Sequence, residues 1–342
     1  FAGRRGALPM ATIGACAGFS AISGSSLATA ATFTQIAVPE MRRYGYDERL
    51  ATGSVAVGGT LGILIPPSVI MVIYALAAEE SVPHLFAAGM IPGLVLTLLF
   101  VMVIWVIARL RPEWAPPGPT MPMRERLKAA SSMWKLVVLF GFAVGGIYTG
   151  WFSPTEAAGI ASFAAIVIAA GSRQLDFRQF IDCVVDTLRT TAMLMFIIMG
   201  AWIFAYFVVQ TQLPKALINV IDFFELAPWA VILVILVFYI ILGCVLDAVA
   251  IILVTVPVFL PVVVALGYDT VWYGILMVVV VEVGLITPPV GLNIFVIRAQ
   301  LPDISLVTVF KGIGPFLIAD AILILLLLLF PQIALWLPGI LF

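Results

Sequence analysis

Charge is what this chain has least of. Lys, Arg, Asp and Glu together make up 10% of its 342 residues, while hydrophobic residues make up 63%. Soluble domains carry about 25% charged and roughly 45–50% apolar residues. This excess of apolar surface needs a solvent other than water. The net charge of −1 argues against a nucleic-acid partner. The single histidine, His84, and the three scattered cysteines, Cys16, Cys183 and Cys244, form neither a metal pattern nor a disulfide framework. No HExxH, P-loop or GxSxG is present, so hydrolytic and nucleotide-driven readings lose their usual support. The chain begins at Phe1, and Arg4-Arg5 precede no complete signal peptide. It is expected to lack N-terminal helices.

What is there is a series of apolar stretches: 10–38, 50–78, 86–108, 136–150, 154–171, 191–211, 229–264, 271–297 and 313–337. A spanning helix needs about 20 apolar residues. Seven stretches fit single crossings. The other two are interrupted, at Ser23-Gly24-Ser25-Ser26 and at Gly243-Cys244-Val245-Leu246-Asp247. They are expected to be re-entrant hairpins with tips buried in protein or lining a cavity.

Charge sidedness agrees with that reading. If both hairpins return to the side they left, 16 of the 17 Lys and Arg residues fall on one face, with Lys215 the exception. The positive-inside rule makes that face cytoplasmic and places the C-terminus outside. The expected organisation is a first half, 1–108 (hairpin 10–38, broken helix 50–78, helix 86–108). A Pro-rich cytoplasmic linker, 109–135, and scaffold helices, 136–228, follow. The second half is 229–342 (hairpin 229–264, broken helix 271–297, last helix 313–337). Segment 173–189 mixes charged and apolar residues and is expected to lie on the cytoplasmic surface.

An internal repeat follows the hairpins. Pro39, Gly45-Tyr46-Asp47, Val57, Gly62 and Pro66-Pro67 recur as Pro261, Gly267-Tyr268-Asp269, Val279, Gly284 and Pro288-Pro289, offset by 222 residues. That is 8 identities in 29 ungapped positions. Five expected crossings separate the copies, so they should be inverted. Consecutive prolines delete backbone donors and break a helix. Paired breaks in two halves point to a transporter site. A lone Pro-Pro would be read as a packing kink.

Candidate residues for a substrate or Na⁺ site follow. At the tips they are Ser23, Gly24, Ser25, Ser26, Gly243 and Asp247. At the first break they are Thr60, Gly62, Pro66, Pro67 and Ser68; at the second, Glu282, Gly284, Thr287, Pro288, Pro289, Gly291 and Asn293. Hydroxyls and carbonyls suit a hard cation; small residues at a tip also suit plain helix packing. Asp247 stands where Ser25 stands in the other copy, and Na⁺ is expected near both. A carboxylate inside an apolar run is functional by default, which favours Glu282, although a structural hydrogen bond would explain it nearly as well. Asp320 reads as shallow and interfacial. Glu156, after Pro154-Thr155, reads as a helix-capping residue. Trp151, Trp229 and Trp336 fit aromatic belts, and His84 an outer loop.

Five stretches carry a family resemblance, and the first three are Gly24-Ser25-Ser26-Leu27-Ala28-Thr29-Ala30-Ala31, Pro39-Glu40-Met41-Arg42-Arg43-Tyr44-Gly45-Tyr46-Asp47, and Gly59-Thr60-Leu61-Gly62-Ile63-Leu64-Ile65-Pro66-Pro67-Ser68. They resemble the first half of the large membrane subunit of TRAP transporters, the DctM-like family. Pro154-Thr155-Glu156-Ala157-Ala158 and the run from Glu282 to Asn293 resemble its second half. The resemblance covers nearly the whole chain. It implies an all-α integral membrane protein, an inverted-repeat elevator-type secondary transporter. It also implies Na⁺-coupled uptake of a small organic acid of the C4-dicarboxylate kind across the bacterial inner membrane. No cofactor is expected beyond Na⁺ as coupling ion. The implied partners are a small four-helix membrane subunit and a periplasmic substrate-binding protein. Two rival classes are an intramembrane aspartyl-type enzyme, which would need Asp247 close to Glu282 or Asp320, and a passive channel. The sequence lacks GxGD, and neither rival has a use for two copies of one gate.

Overall fold

A computed structural model describes residues 3–118, 122, 124, 134–173 and 175–342. It contains only helices and the turns between them, apart from one isolated bridge between Arg5 and Pro117. Two compact units are distinguished, one of residues 1–121 with 214–342, the other of residues 122–213.

The first unit opens with two helix pairs. Helices α1 (Ala7–Ser23) and α2 (Ser26–Arg43) are joined at Gly24-Ser25. Helices α3 (Glu48–Leu64) and α4 (Val69–Ala78) are joined across Pro66-Pro67, with a bend of 42° between them. Helix α5 (Val82–Leu110) completes this half. The second unit holds α6 (Trp134–Tyr148), α7 (Pro154–Gly171) and α8 (Phe177–Gln210). Returning to the first unit, α9 (Leu213–Phe223) precedes α10 (Pro228–Gly243) and α11 (Ala248–Ala265). Then come α12 (Thr270–Ile286), α13 (Leu292–Gln300) and α14 (Leu306–Leu329). Two short helices, α15 (Gln332–Leu335) and α16 (Pro338–Leu341), end the chain.

The repeat is visible at single-residue level. At the offset of 222 residues, α2 and α11 start and stop at the same positions, and so do α3 and α12. The shared Gly-Tyr-Asp explains why. Gly45 and Gly267 take φ of 75° and 81°, which an L side chain would resist. Tyr46 and Tyr268 N–H groups then reach back to the carbonyls of Met41 and Val263, closing the same C-terminal turn in both copies. Asp47 and Asp269 cap the next helices, accepting from the N–H groups of Arg49 and Trp272. The triplet is a stop-and-start signal rather than part of a site.

The two copies exchange partners. Helix α2 packs against α13, and α11 packs against α4. Helices α3 and α12 form the centre. Helix α12 is buried from Val271 to Ile286, as a helix apolar all round must be. Helix α3 instead uses small residues, which let backbones close in. A Cβ at Gly53 would stand 2.6 Å from the Gly312 carbonyl of α14, and one at Gly58 2.8 Å from Cys16 Sγ of α1.

The starts of the central helices are tied to the opposite copy. At α3, Arg42 pairs with Glu48 at 2.9 Å and with Asp303 at 2.5 Å. The bond from Arg42 holds the Asp303 carboxyl below its ordinary value. At α12, the Tyr74 hydroxyl donates to the Thr270 carbonyl at 2.6 Å, and the Thr270 hydroxyl donates to Glu80.

Several sequence boundaries need correction. Helix α2 runs on past residue 38 to Arg43, with Pro39 inside it; hydropathy stops at the charges, but the backbone does not. Segment 173–189 is not a separate surface helix. From Phe177 it continues into the apolar part of α8, because no proline interrupts residues 177–210. At 1.5 Å per residue, 34 residues reach about 51 Å, well beyond the roughly 30 Å hydrocarbon core. Helix α9, at 11 residues, is too short to cross a membrane, so the search for apolar stretches of spanning length does not mark it. The last helix ends at Leu329, before Pro331. Residues 119–121, 123 and 125–133 of the expected linker lie outside the described residues. Its start is packed: Ala115 is buried, and the Trp114 carbonyl accepts from the Asp47 N–H at 3.1 Å.

Candidate functional site

Both hairpin turns meet a glycine of a central helix, at equivalent places. A Cβ on Gly62 of α3 would lie 2.6 Å from the Ser25 carbonyl oxygen. A Cβ on Gly284 of α12 would lie 2.5 Å from Gly243 Cα and 3.2 Å from the Cys244 nitrogen. Glycine at these two positions of the repeat is therefore what lets each tip seat against the helix that will break.

The first tip is polar and well connected. The Ser25 side chain caps α2 by accepting from the Ala28 N–H at 3.4 Å. Its carbonyl accepts from the Thr29 hydroxyl at 2.8 Å, and Ser23 Oγ lies 2.8 Å from the same hydroxyl. Gly24, with φ of 56°, turns the chain against the first break: its carbonyl accepts from the Val69 N–H at 3.4 Å. At that break Ile65 to Ser68 leave the helix. The Ser68 hydroxyl donates to the Ile63 carbonyl at 2.6 Å and accepts from the Met71 N–H at 3.2 Å. Ser68 thus splices the two half-helices.

The first tip also reaches the second break. Asn293, one residue into α13, donates from Nδ2 to Ser26 Oγ at 2.6 Å, although 267 residues separate them. Asn293 is 0% exposed, and its Oδ1 has no hydrogen-bond partner. Equivalent positions in the other copy, Ala248 and Met71, are apolar. The polar junction therefore exists in one copy only. Its oxygens, from Ser23, Ser25, Ser26, Thr29 and Asn293, are all uncharged. They form a hard donor set that fits an alkali cation better than a soft metal.

Other candidates are placed elsewhere. Asp247 is exposed and caps α11, accepting from the Val249 N–H at 3.0 Å. Asp247 and Ser25 do share a role as helix caps. The Thr60 hydroxyl donates to Val57 and the Thr287 hydroxyl to Val283, each within its own helix. Pro288 and Pro289 separate α12 from α13, and Gly291 opens α13 with φ of 66°. Glu282 is 2% exposed and neither of its oxygens has a hydrogen-bond partner. Asp320, read as shallow, is 4% exposed, with Oδ2 also unpartnered. Glu156 forms a capping box with Ser153, as expected. Trp151, Trp229 and Trp336 are all exposed, and His84 stacks edge-on with Phe342.

Sequence reasoning did not single out Thr29, although it sits four residues after Ser25, within hydroxyl-to-carbonyl reach on a helix. The Ser26–Asn293 bond had no local signal, because it joins opposite halves of the chain.

Among the described residues, five helices are long and apolar enough to cross a membrane, or six if α3 and α4 count as one bent span. An all-α architecture of this kind, with two hairpin turns facing two broken helices, defines a multi-pass membrane transporter. The family model for the tripartite ATP-independent periplasmic transporter, DctM component, matches residues 1–333, and the chain belongs to that family. It is 39% identical over 337 residues to the C4-dicarboxylate TRAP transporter large permease protein DctM of Pseudomonas aeruginosa, covering 98% of this chain and 78% of that one. It is 32% identical over 321 residues to the sialic acid TRAP transporter large permease protein SiaM of Vibrio cholerae, covering 94% and 74%. The crystal structure of the YdaH transporter of Alcanivorax borkumensis shares the fold, with a TM-score of 0.59 at 14% identity, over 94% of this chain and 83% of that one. The chain is thus a TRAP transporter large permease subunit, and the enzyme reading is set aside because its relatives are named as permeases.

Proposed function

We propose that this subunit carries a small organic acid across the bacterial inner membrane, coupled to Na⁺, by an elevator movement of the two hairpins with the two broken helices. The tripartite family implies a small membrane subunit and a periplasmic substrate-binding protein as partners. The observation that carries the ion part is the Asn293 Oδ1: fully buried, unpartnered, and held by its own amide on the Ser26 hydroxyl at the first tip. Leaving a buried acceptor unmatched costs about 1–3 kcal/mol, and a bound cation would offset that. Ser23, Ser25, Ser26, Thr29 and Asn293 are the groups that would hold Na⁺. The ion would supply positive charge for the acid's anionic group, while these neutral oxygens hold the ion and exclude water. The broken end of α13 adds N–H groups suited to an anion. Relatives named for C4-dicarboxylate, sialic acid and isethionate share an acid anion as the chemical feature.

The test is uptake into proteoliposomes holding the full-length subunit with its membrane partner, with the binding protein outside. Succinate and sialic acid are the probes. Accumulation should follow an inward Na⁺ gradient and stop when K⁺ replaces Na⁺. Accumulation of equal size in K⁺ would remove the coupling.

A further inference from the structure

A groove of about 750 Å³ runs along α1 and α5. Its shape starts with Gly6, which has φ of 74°; a Cβ there would lie 3.2 Å from Ile104 and 3.3 Å from Ala108. Glycine therefore lays the residues before α1 directly onto the last turns of α5. From the other side, the Gly118 N–H donates to the Arg4 carbonyl at 3.1 Å, and Arg5 bridges to Pro117. The backbone of both arginines is fixed. As a result Arg4, Arg5 and Arg109 line one end of the groove, and Leu98, Val101 and Met102 line the rest. Among the described residues no acidic side chain lines it. Among the described residues none of these arginines forms an ion pair. The Arg109 guanidinium lies 4.4 Å above the Trp105 ring.

The two ends lie at different depths. Leu98 is about 16 Å from Arg109 along a helix rising 1.5 Å per residue. Trp105, between them, is the residue type that settles at the boundary of headgroups and hydrocarbon. The arginine end is thus at headgroup level, on the face where the basic residues of the chain collect. Leu98 and Met102 are 68% and 50% exposed and lie at acyl-chain depth.

The geometry points to a binding site for one net-anionic glycerophospholipid of the cytoplasmic leaflet, its phosphate against Arg4, Arg5 and Arg109 and one acyl chain along α5 from Trp105 to Leu98. Charge complementarity selects this occupant. Guanidinium groups pair closely with phosphate oxygens, and basic pockets beside spanning helices favour anionic headgroups. A zwitterionic lipid would bring its own cation to three others. A free phosphate would leave the apolar wall bare.

The experiment uses the delipidated full-length subunit with its membrane partner in detergent, with phosphatidylglycerol, phosphatidylcholine or inorganic phosphate added and bound species counted by native mass spectrometry. Phosphatidylglycerol should be retained about tenfold better than phosphatidylcholine. Arg4→Gln with Arg5→Gln should erase that preference, while Lys311→Gln leaves it unchanged. Should the double variant not fold, salt provides the second measurement: retention of phosphatidylglycerol by the natural protein must fall as ionic strength rises. Four outcomes would overturn the site: equal retention of both lipids, an unchanged preference in the arginine variant, a preference insensitive to salt, or displacement by inorganic phosphate alone. No retention at all would overturn it too.

Discussion

Gly62 and Gly284 decide how near each hairpin tip comes to its central helix, because each would-be Cβ falls within 2.6 Å of the tip backbone. Backbone cannot yield as a flexible side chain can, so Gly62→Ala should cost about 1–3 kcal/mol. Lower melting temperature in detergent and slower uptake are expected together. Gly45→Ala is the contrast. It has open space but φ of 75°, so it should cost about 1–2 kcal/mol of backbone strain and leave uptake per folded molecule unchanged. Equal effects of both on uptake would show that Gly62 only shapes the fold. At this scale the sequence was partly legible. The repeated glycines and prolines stand out because each has a backbone reason. Ser26 and Asn293 stand out only in three dimensions, since their partnership crosses between the halves. Asp247 shares with Ser25 the capping of the helix that follows each tip, a role the offset of 222 residues already pairs.

At the scale of elements, the two breaks are the working parts. Proline at 66, 67, 288 and 289 withholds N–H donors from the helical ladder. Replacing either pair by Ala-Ala should let α3 run on into α4, or α12 into α13. The first change would also displace Ser68 from its splice between Ile63 and Met71. Uptake is expected to fall at least about tenfold while the amount of membrane-inserted protein stays within about twofold. Normal uptake in both double variants would reduce the prolines to packing. Hairpins and breaks were readable because small polar tips and Pro-Pro interrupt apolar runs. The length of α8 was not, since charge ends a hydropathy window without ending a helix. Asp303 adds a pH effect: its lowered carboxyl value means the Arg42 pairing is fully present above the usual carboxylate range and is lost as pH falls through the lowered value.

For the whole molecule, the repeat and the basic asymmetry make one claim about sidedness. Single cysteines at Arg173 and Glu79, both exposed, should label from opposite faces of intact spheroplasts: Arg173 only after permeabilisation, Glu79 before it. Labelling of both from the same face would dismantle the topology. The central claim is that the first tip and the second break together hold the coupling ion. Its most direct measurement is the Na⁺ concentration for half-maximal uptake in proteoliposomes, for the natural protein, Ser26→Ala, Asn293→Ala and the double variant. Each single change removes an oxygen or the bond that places it, so each should raise that concentration about tenfold. The double should raise it by less than the product of the singles, as expected for groups in contact. An unchanged Na⁺ dependence in Asn293→Ala, with the protein folded and transporting, would contradict the account.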